Sequence, residues 1–67
     1  MNILMNGKEQ QLPEEVATVA DLLHFYGLSN RIVIVEINRD IVQKDQYQTY
    51  SLKDRDRVEL IHFVGGG

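Results

Sequence analysis

No cysteine occurs in the 67 residues. Disulfides, thiolate zinc sites, iron–sulfur clusters and cysteine nucleophiles are excluded with it. Basic residues are also scarce: seven Lys and Arg stand against ten Asp and Glu, a net charge of −3. A nucleic-acid partner needs a basic face, so none is expected. Long hydrophobic runs are missing as well. The longest, Ile32 to Val35, falls far short of the roughly 20 residues of a membrane span. The opening Met1-Asn2-Ile3-Leu4-Met5 has no basic region or cleavage pattern of a signal peptide. The expected location is cytoplasmic, with no membrane partner. What is present is ordinary globular composition, 43% hydrophobic and 25% charged. One small domain fits this length. Such a domain buries only about 60% of the surface that its unfolded chain exposes, so its core is marginal.

Residues Asn2 to Asn6 alternate, with Ile3 and Met5 on one side and Leu4 on the other. Asn6-Gly7 follows, and both residue types tolerate the positive φ of a type I′ hairpin turn. Lys8 to Leu12 is then a polar return strand, ended by Pro13. Thr18 and Asp21 form a short capping box that starts a helix. Val19, Leu22, Leu23 and Tyr26 make its apolar face. Gly27 and Leu28 suit a Schellman ending. Ile32 to Ile37 is β-branched and apolar on both faces, as in a central strand. A turn at Asn38-Arg39-Asp40 leads to a short strand beginning Ile41-Val42. Gln43 to Tyr50 reads as an irregular or short helical connection, Leu52 as a core plug, and Asp54-Arg55-Asp56 as a charged turn. Arg57 to Val64 is the last strand, with Val58, Leu60, His62 and Val64 on one side and Glu59, Ile61 and Phe63 on the other. One helix must cover one face of the sheet. The expected class is α+β, a roll; periodicity leaves the strand order open.

Gly65-Gly66-Gly67 follow the last strand directly. Glycine contributes no side chain to a core and loses the most entropy on ordering. Three extended residues reach roughly 10 Å. Without Cβ atoms they pass a slot too narrow for other residues, so a terminal carboxylate at Gly67 can be delivered into another protein's active site. The sequence divides into a domain over residues 1–64 and a flexible tail over 65–67.

Several stretches together resemble the ThiS family, the ubiquitin-like β-grasp sulfur carriers of thiamine thiazole synthesis. They are Asn2-Ile3-Leu4-Met5-Asn6-Gly7, Thr18-Val19-Ala20-Asp21-Leu22-Leu23, Val35-Glu36-Ile37-Asn38 with Ile41-Val42, Asp54-Arg55-Asp56-Arg57-Val58-Glu59-Leu60, and Gly65-Gly66-Gly67. Two departures stand out. Many members of the family have glycine where this chain has Arg55, and proline followed by arginine where it has Gln43-Lys44.

The resemblance implies a β-grasp roll, a mixed sheet of four to five strands under one main helix. It also implies that the chain is a protein co-substrate rather than an enzyme. A carboxylate is ionised at neutral pH and is a poor electrophile, so it must be activated. The family chemistry is adenylation of Gly67 with ATP by a ubiquitin-activating-like (ThiF-like) enzyme. A sulfur donor such as a cysteine desulfurase then displaces AMP to leave a thiocarboxylate, and a ThiG-like thiazole synthase takes the sulfur. ATP belongs to the partner, and no bound cofactor is implied. Two alternatives use the same tail: a MoaD-type small subunit of molybdopterin synthase, and a ubiquitin-like modifier or binding module.

Nothing else in the sequence points to catalysis. His24 and His62 are two isolated histidines with no close acid pair, so they make poor metal ligands or triad members. Asp54 to Arg57 reads as a solvated charge run rather than a carboxylate dyad. Tyr26 reads as core, and Tyr47 and Tyr50 as cover for the sheet edge. If Ile3, Met5, Val58 and Leu60 face the helix, alternation puts Leu4, Ile61 and Phe63 on the other face. Ile32 and Ile34 or their neighbours could join them. Such a patch fits docking of the activating enzyme and the synthase, and the acidic balance favours basic partner surfaces.

Overall fold

The computed structural model describes residues 1–62. Strands β1 (Asn2–Met5), β2 (Lys8–Gln11), β3 (Val33–Ile37), β4 (Asp40–Val42) and β5 (Arg57–His62) form one sheet, with helix α1 (Val19–Phe25) between β2 and β3. The order is β2-β1-β5-β3-β4. The first and last strands run parallel at the centre, with Met5 opposite Val58. The other three pairings are antiparallel.

Two tight hairpins set the register. Asn6 and Gly7 have φ of 48° and 84°, and Asn38 and Arg39 have 52° and 74°. Positive φ at both central residues is the type I′ requirement. The second turn is one residue shorter than the sequence suggests, because Asp40 already pairs with Ile37. The central strand starts at Val33 rather than Ile32, and Ile32 is 76% exposed.

The helix follows its sequence signals at both ends. Thr18 Oγ1 accepts from the Asp21 N–H at 3.1 Å, and Asp21 Oδ2 accepts from the Thr18 N–H at 3.0 Å. At the other end the Leu28 N–H reaches the Leu23 carbonyl at 2.7 Å, and the Gly27 N–H reaches that of His24 at 3.0 Å. With Gly27 at φ 71°, these two bonds are the Schellman pair. Val19, Leu22 and Leu23 bury against Ile3, Met5, Val35, Ile37, Val58 and Leu60 of the sheet. Leu12, Val16, Val42 and Leu52 join the same core, with Tyr26, Leu28, Tyr47 and Tyr50 partly buried around it. Fully burying one such aliphatic side chain is worth about 1.5–3 kcal/mol.

The connection after β4 contains a single 3-10 turn, Lys44–Gln46. It then passes the start of the helix, where the Leu52 N–H donates to the Ala17 carbonyl and the Val19 N–H to that of Tyr50.

The charged turn departs from expectation. Asp56 is buried, not solvated. Its Oδ1 accepts from Asn38 Nδ2 at 2.9 Å and its Oδ2 from the Lys53 N–H at 2.8 Å. The carboxylate therefore ties the β3–β4 turn to the approach to β5. Arg55 takes φ 70° in the same turn, the left-handed region in which glycine is least strained. Its ion pair with Asp54 is long, at 3.9 Å, and exposed.

Candidate functional site: the end of β5 and the face without a helix

β5 carries the chain out of the sheet, and its alternation decides what each face presents. Val58 and Leu60 point into the core, whereas Ile61 is 44% exposed on the opposite face. His62 shares the parity of Val58 and Leu60 but is exposed at the end of the strand. Phe63, Val64, Gly65, Gly66 and Gly67 lie outside the described residues.

Three rows of the helix-free face bear on the site. In the first, nearest the end of β5, Ile34 stands opposite Ile61, and the exposed Ile32 immediately precedes β3. In the second, Ile41, Glu36 and Glu59 lie side by side across β4, β3 and β5. In the third, Arg57, Leu4 and Glu9 lie across β5, β1 and β2. Ile61 lies four positions along the strand from Arg57, about 13 Å. The structure therefore brings Ile61 beside Ile34 and leaves Leu4 at the far end of the same face, with Glu59 between. Like charges directly opposite across a pair of strands are destabilising. Glu36 and Glu59 were not singled out by the sequence reading. Their spacing is unremarkable until the register is known.

The strand is held on both sides near its end. On the β3 side, pairing continues to Val33 opposite His62. On the β1 side, the parallel ladder ends at Met5 and Val58. Beyond it the Asn6 N–H donates to the Val58 carbonyl at 2.9 Å. The Asn6 side chain then takes both backbone groups of Leu60: Oδ1 accepts from its N–H at 2.9 Å and Nδ2 donates to its carbonyl at 3.3 Å.

Acid–base and metal chemistry find no such convergence. Among the described residues, no group of three or more His, Asp or Glu is placed to hold a metal ion. An open cleft of 470 Å³ lies between the helix and the 3-10 turn, lined by Ala20, Leu23, Ser29, Lys44, Asp45, Tyr47 and Gln48. It brings together one acid and one base that are sequence neighbours. His24 lines a different cleft with Glu15 and Asp21, and Asp21 is already engaged in capping the helix.

A mixed sheet with its two terminal strands parallel at the centre, covered by one helix, defines a β-grasp protein of the ubiquitin-like type. The ThiS family model matches residues 3–67, and the chain belongs to that family. It is 48% identical over 63 residues to the sulfur carrier protein ThiS of Bacillus subtilis, which covers 94% of this chain and 96% of that one. It is 37% identical over 67 residues to a thiazole synthase of Paramagnetospirillum magneticum, of which it spans 20%. The crystal structure of the thiamine biosynthesis protein ThiS from Geobacter metallireducens superposes with a TM-score of 0.83. The two share 30% sequence identity, with complete coverage of both chains.

Proposed function

We propose that Gly67 is the sulfur-bearing residue of this chain, in the cycle set out below. The chain is a sulfur carrier of the ThiS type and a protein co-substrate rather than a catalyst. The observation that carries the reading is the family match, which runs from the first strand through Gly67, together with the near full-length similarity to a sulfur carrier.

A carboxylate oxygen of Gly67 attacks the α-phosphorus of ATP in a ThiF-like activating enzyme, and pyrophosphate leaves. Sulfur from a donor such as a cysteine desulfurase then adds to the acyl carbon. A C–S bond forms as the C–O bond to AMP breaks; where the donor presents its sulfur as a persulfide, a thiol then reduces the S–S bond of the acyl disulfide, so that the thiocarboxylate is released and the donor sulfur ends in a mixed disulfide with that thiol. A ThiG-like thiazole synthase accepts the sulfur, and the carboxylate is regenerated. Support for that acceptor comes from thiazole synthases in which one fifth of the chain is similar to all 67 residues here. Gly65 and Gly66 serve as the thin arm, ATP is the partner's substrate, and the cycle runs in the cytoplasm. Among the described residues, no helix is long and apolar enough to cross a membrane.

The docking patch is the helix-free face. Ile34 and Ile61, with Phe63 beyond them in the sequence, supply the apolar part, and Leu4 a separate contact. Glu36 and Glu59 favour a basic residue on the partner. The test is intact mass after incubation with the activating enzyme, ATP and a sulfur source. The native chain gains the mass difference between sulfur and oxygen. Deletion of Gly67 leaves the fold unchanged and abolishes the gain. Sulfur acceptance by the deletion variant refutes the role given to Gly67. Lysine conjugates in place of the mass gain would establish the modifier reading instead.

A further inference from the structure

The hairpin turn that joins β1 to β2 makes a second, unexpected connection. β1 stops at Met5, two residues before its parallel neighbour β5 loses its last tie on that side. The gap is filled by a side chain. Asn6 turns its amide onto the backbone of Leu60 and occupies both the N–H and the carbonyl, which a continued parallel ladder would divide between two residues of β1. The left-handed φ of 48° at Asn6 makes this possible. Asparagine is one of the few residues with a side chain that takes this conformation readily. Beyond Leu60, the described strand is paired only on its β3 side, through Val33 and His62.

We propose that Asn6 is a positioning residue for the reaction at Gly67, because its side chain sets the point beyond which β5 is held on the β3 side alone. The inference rests on the sulfur-carrier reading above. With the clamp closed, six residues lie between Leu60, the last position tied on the β1 side, and Gly67. Without it, the last tie on the β1 side falls back to Val58. Two further residues of β5 are then paired on the β3 side alone. The strand's heading becomes less defined while the docking face keeps its residues. Small displacements of a reacting group cost as much as about a hundredfold in rate. The expected signature is therefore a fall in turnover rather than in partner affinity.

Asn6→Gly is the informative variant. Glycine keeps the positive φ of the turn and removes only the amide. Asn6→Asp keeps the acceptor for the Leu60 N–H but sets a carboxylate oxygen against the Leu60 carbonyl. Carrier-dependent ATP–pyrophosphate exchange is measured with the activating enzyme, together with hydrogen exchange of the Leu60 amide. For Asn6→Gly, kcat falls about tenfold with KM for the carrier within about twofold, and the Leu60 amide exchanges faster. Asn6→Asp is intermediate in both. A native kcat in Asn6→Gly overturns the proposal, as does a fall in activity expressed wholly in KM. Unchanged exchange at Leu60 overturns it too. If the native chain itself supports no exchange of pyrophosphate, the sulfur-carrier reading fails and this inference with it; a native chain that works beside an equally fast variant sinks this inference alone.

Discussion

Asn38 Nδ2 donates to Asp56 Oδ1 across 2.9 Å, joining two turns that are 18 residues apart in sequence. The pair is reciprocal in effect. Asp56 Oδ2 holds the Lys53 N–H, and Asn38 Oδ1 accepts from the Arg57 N–H at 2.9 Å. The start of β5 is thus fixed by two side chains that are themselves fixed by each other. Asp56→Ala removes both acceptors and leaves two donors in partly buried surroundings. The expected loss is about 1–3 kcal/mol, which for a domain of this size lowers Tm by several degrees or more. Asp54 is the control. It is exposed and accepts a single bond, from the Asn2 N–H at 2.8 Å, so Asp54→Ala should cost less than about 1 kcal/mol. Urea titration of both variants decides the matter. A larger loss for Asp54→Ala would mean that the burial of Asp56 contributes nothing.

Asp21 gives the fold an acid-sensitive element. The Ala17 N–H donates to its Oδ2 at 3.0 Å, and so does that of Thr18. These two bonds, the Ala17 bond foremost, hold the carboxyl below its usual value against a smaller opposing effect of lost hydration. The Thr18 hydroxyl and the nearby His24 charge act in the same direction as the two backbone bonds. A carboxyl with a lower pKa in the folded state than in the unfolded chain stabilises the fold fully above the unfolded value, about 3.9. That contribution disappears as pH falls through the lower, folded value. Asp21→Asn should be less stable than the native chain at neutral pH and should lose stability less steeply on acidification. Unfolding midpoints measured down through the carboxylate range test this. Parallel curves for the two proteins would show that Asp21 does not carry the dependence.

The helix and the hairpins were legible because their signals are local. Thr18 and Asp21 lie three residues apart, and the spacing of Val19, Leu22 and Leu23 states which face is buried. Asn6-Gly7 announces a turn without any knowledge of the sheet. Asp56 was not legible. Beside Asp54, Arg55 and Arg57 it looks like one of four solvated charges, and its burial depends on Asn38 in another hairpin. Asn6 was half legible. Its turn role is written in the dipeptide, but its hold on Leu60 spans 54 residues and exists only because β1 and β5 are neighbours. The docking face shows the same limit. Alternation puts Leu4 and Ile61 on one side of the sheet, but only the register of β1 against the start of β5 separates them.

That separation gives a prediction about recognition. Ile61 lies beside Ile34 at the end of the sheet where the chain continues toward Gly67, whereas Leu4 sits between Arg57 and Glu9. On the proposal above, a partner that receives Gly67 centres on the first position and meets the second only at its rim. Ile61 is 44% exposed, so Ile61→Asp removes little core packing. It should still weaken binding to the activating enzyme or the synthase by about tenfold or more, as loss of a central apolar contact does. Leu4→Asp should change affinity by less than about threefold, because contacts at the rim of an interface contribute little. Titration calorimetry on folded variants, with thermal melts alongside, separates binding from stability. Equal weakening by the two substitutions would mean that the partner spans the whole face. A collapse in Tm for Ile61→Asp with unchanged affinity would place Ile61 in the core rather than in the interface.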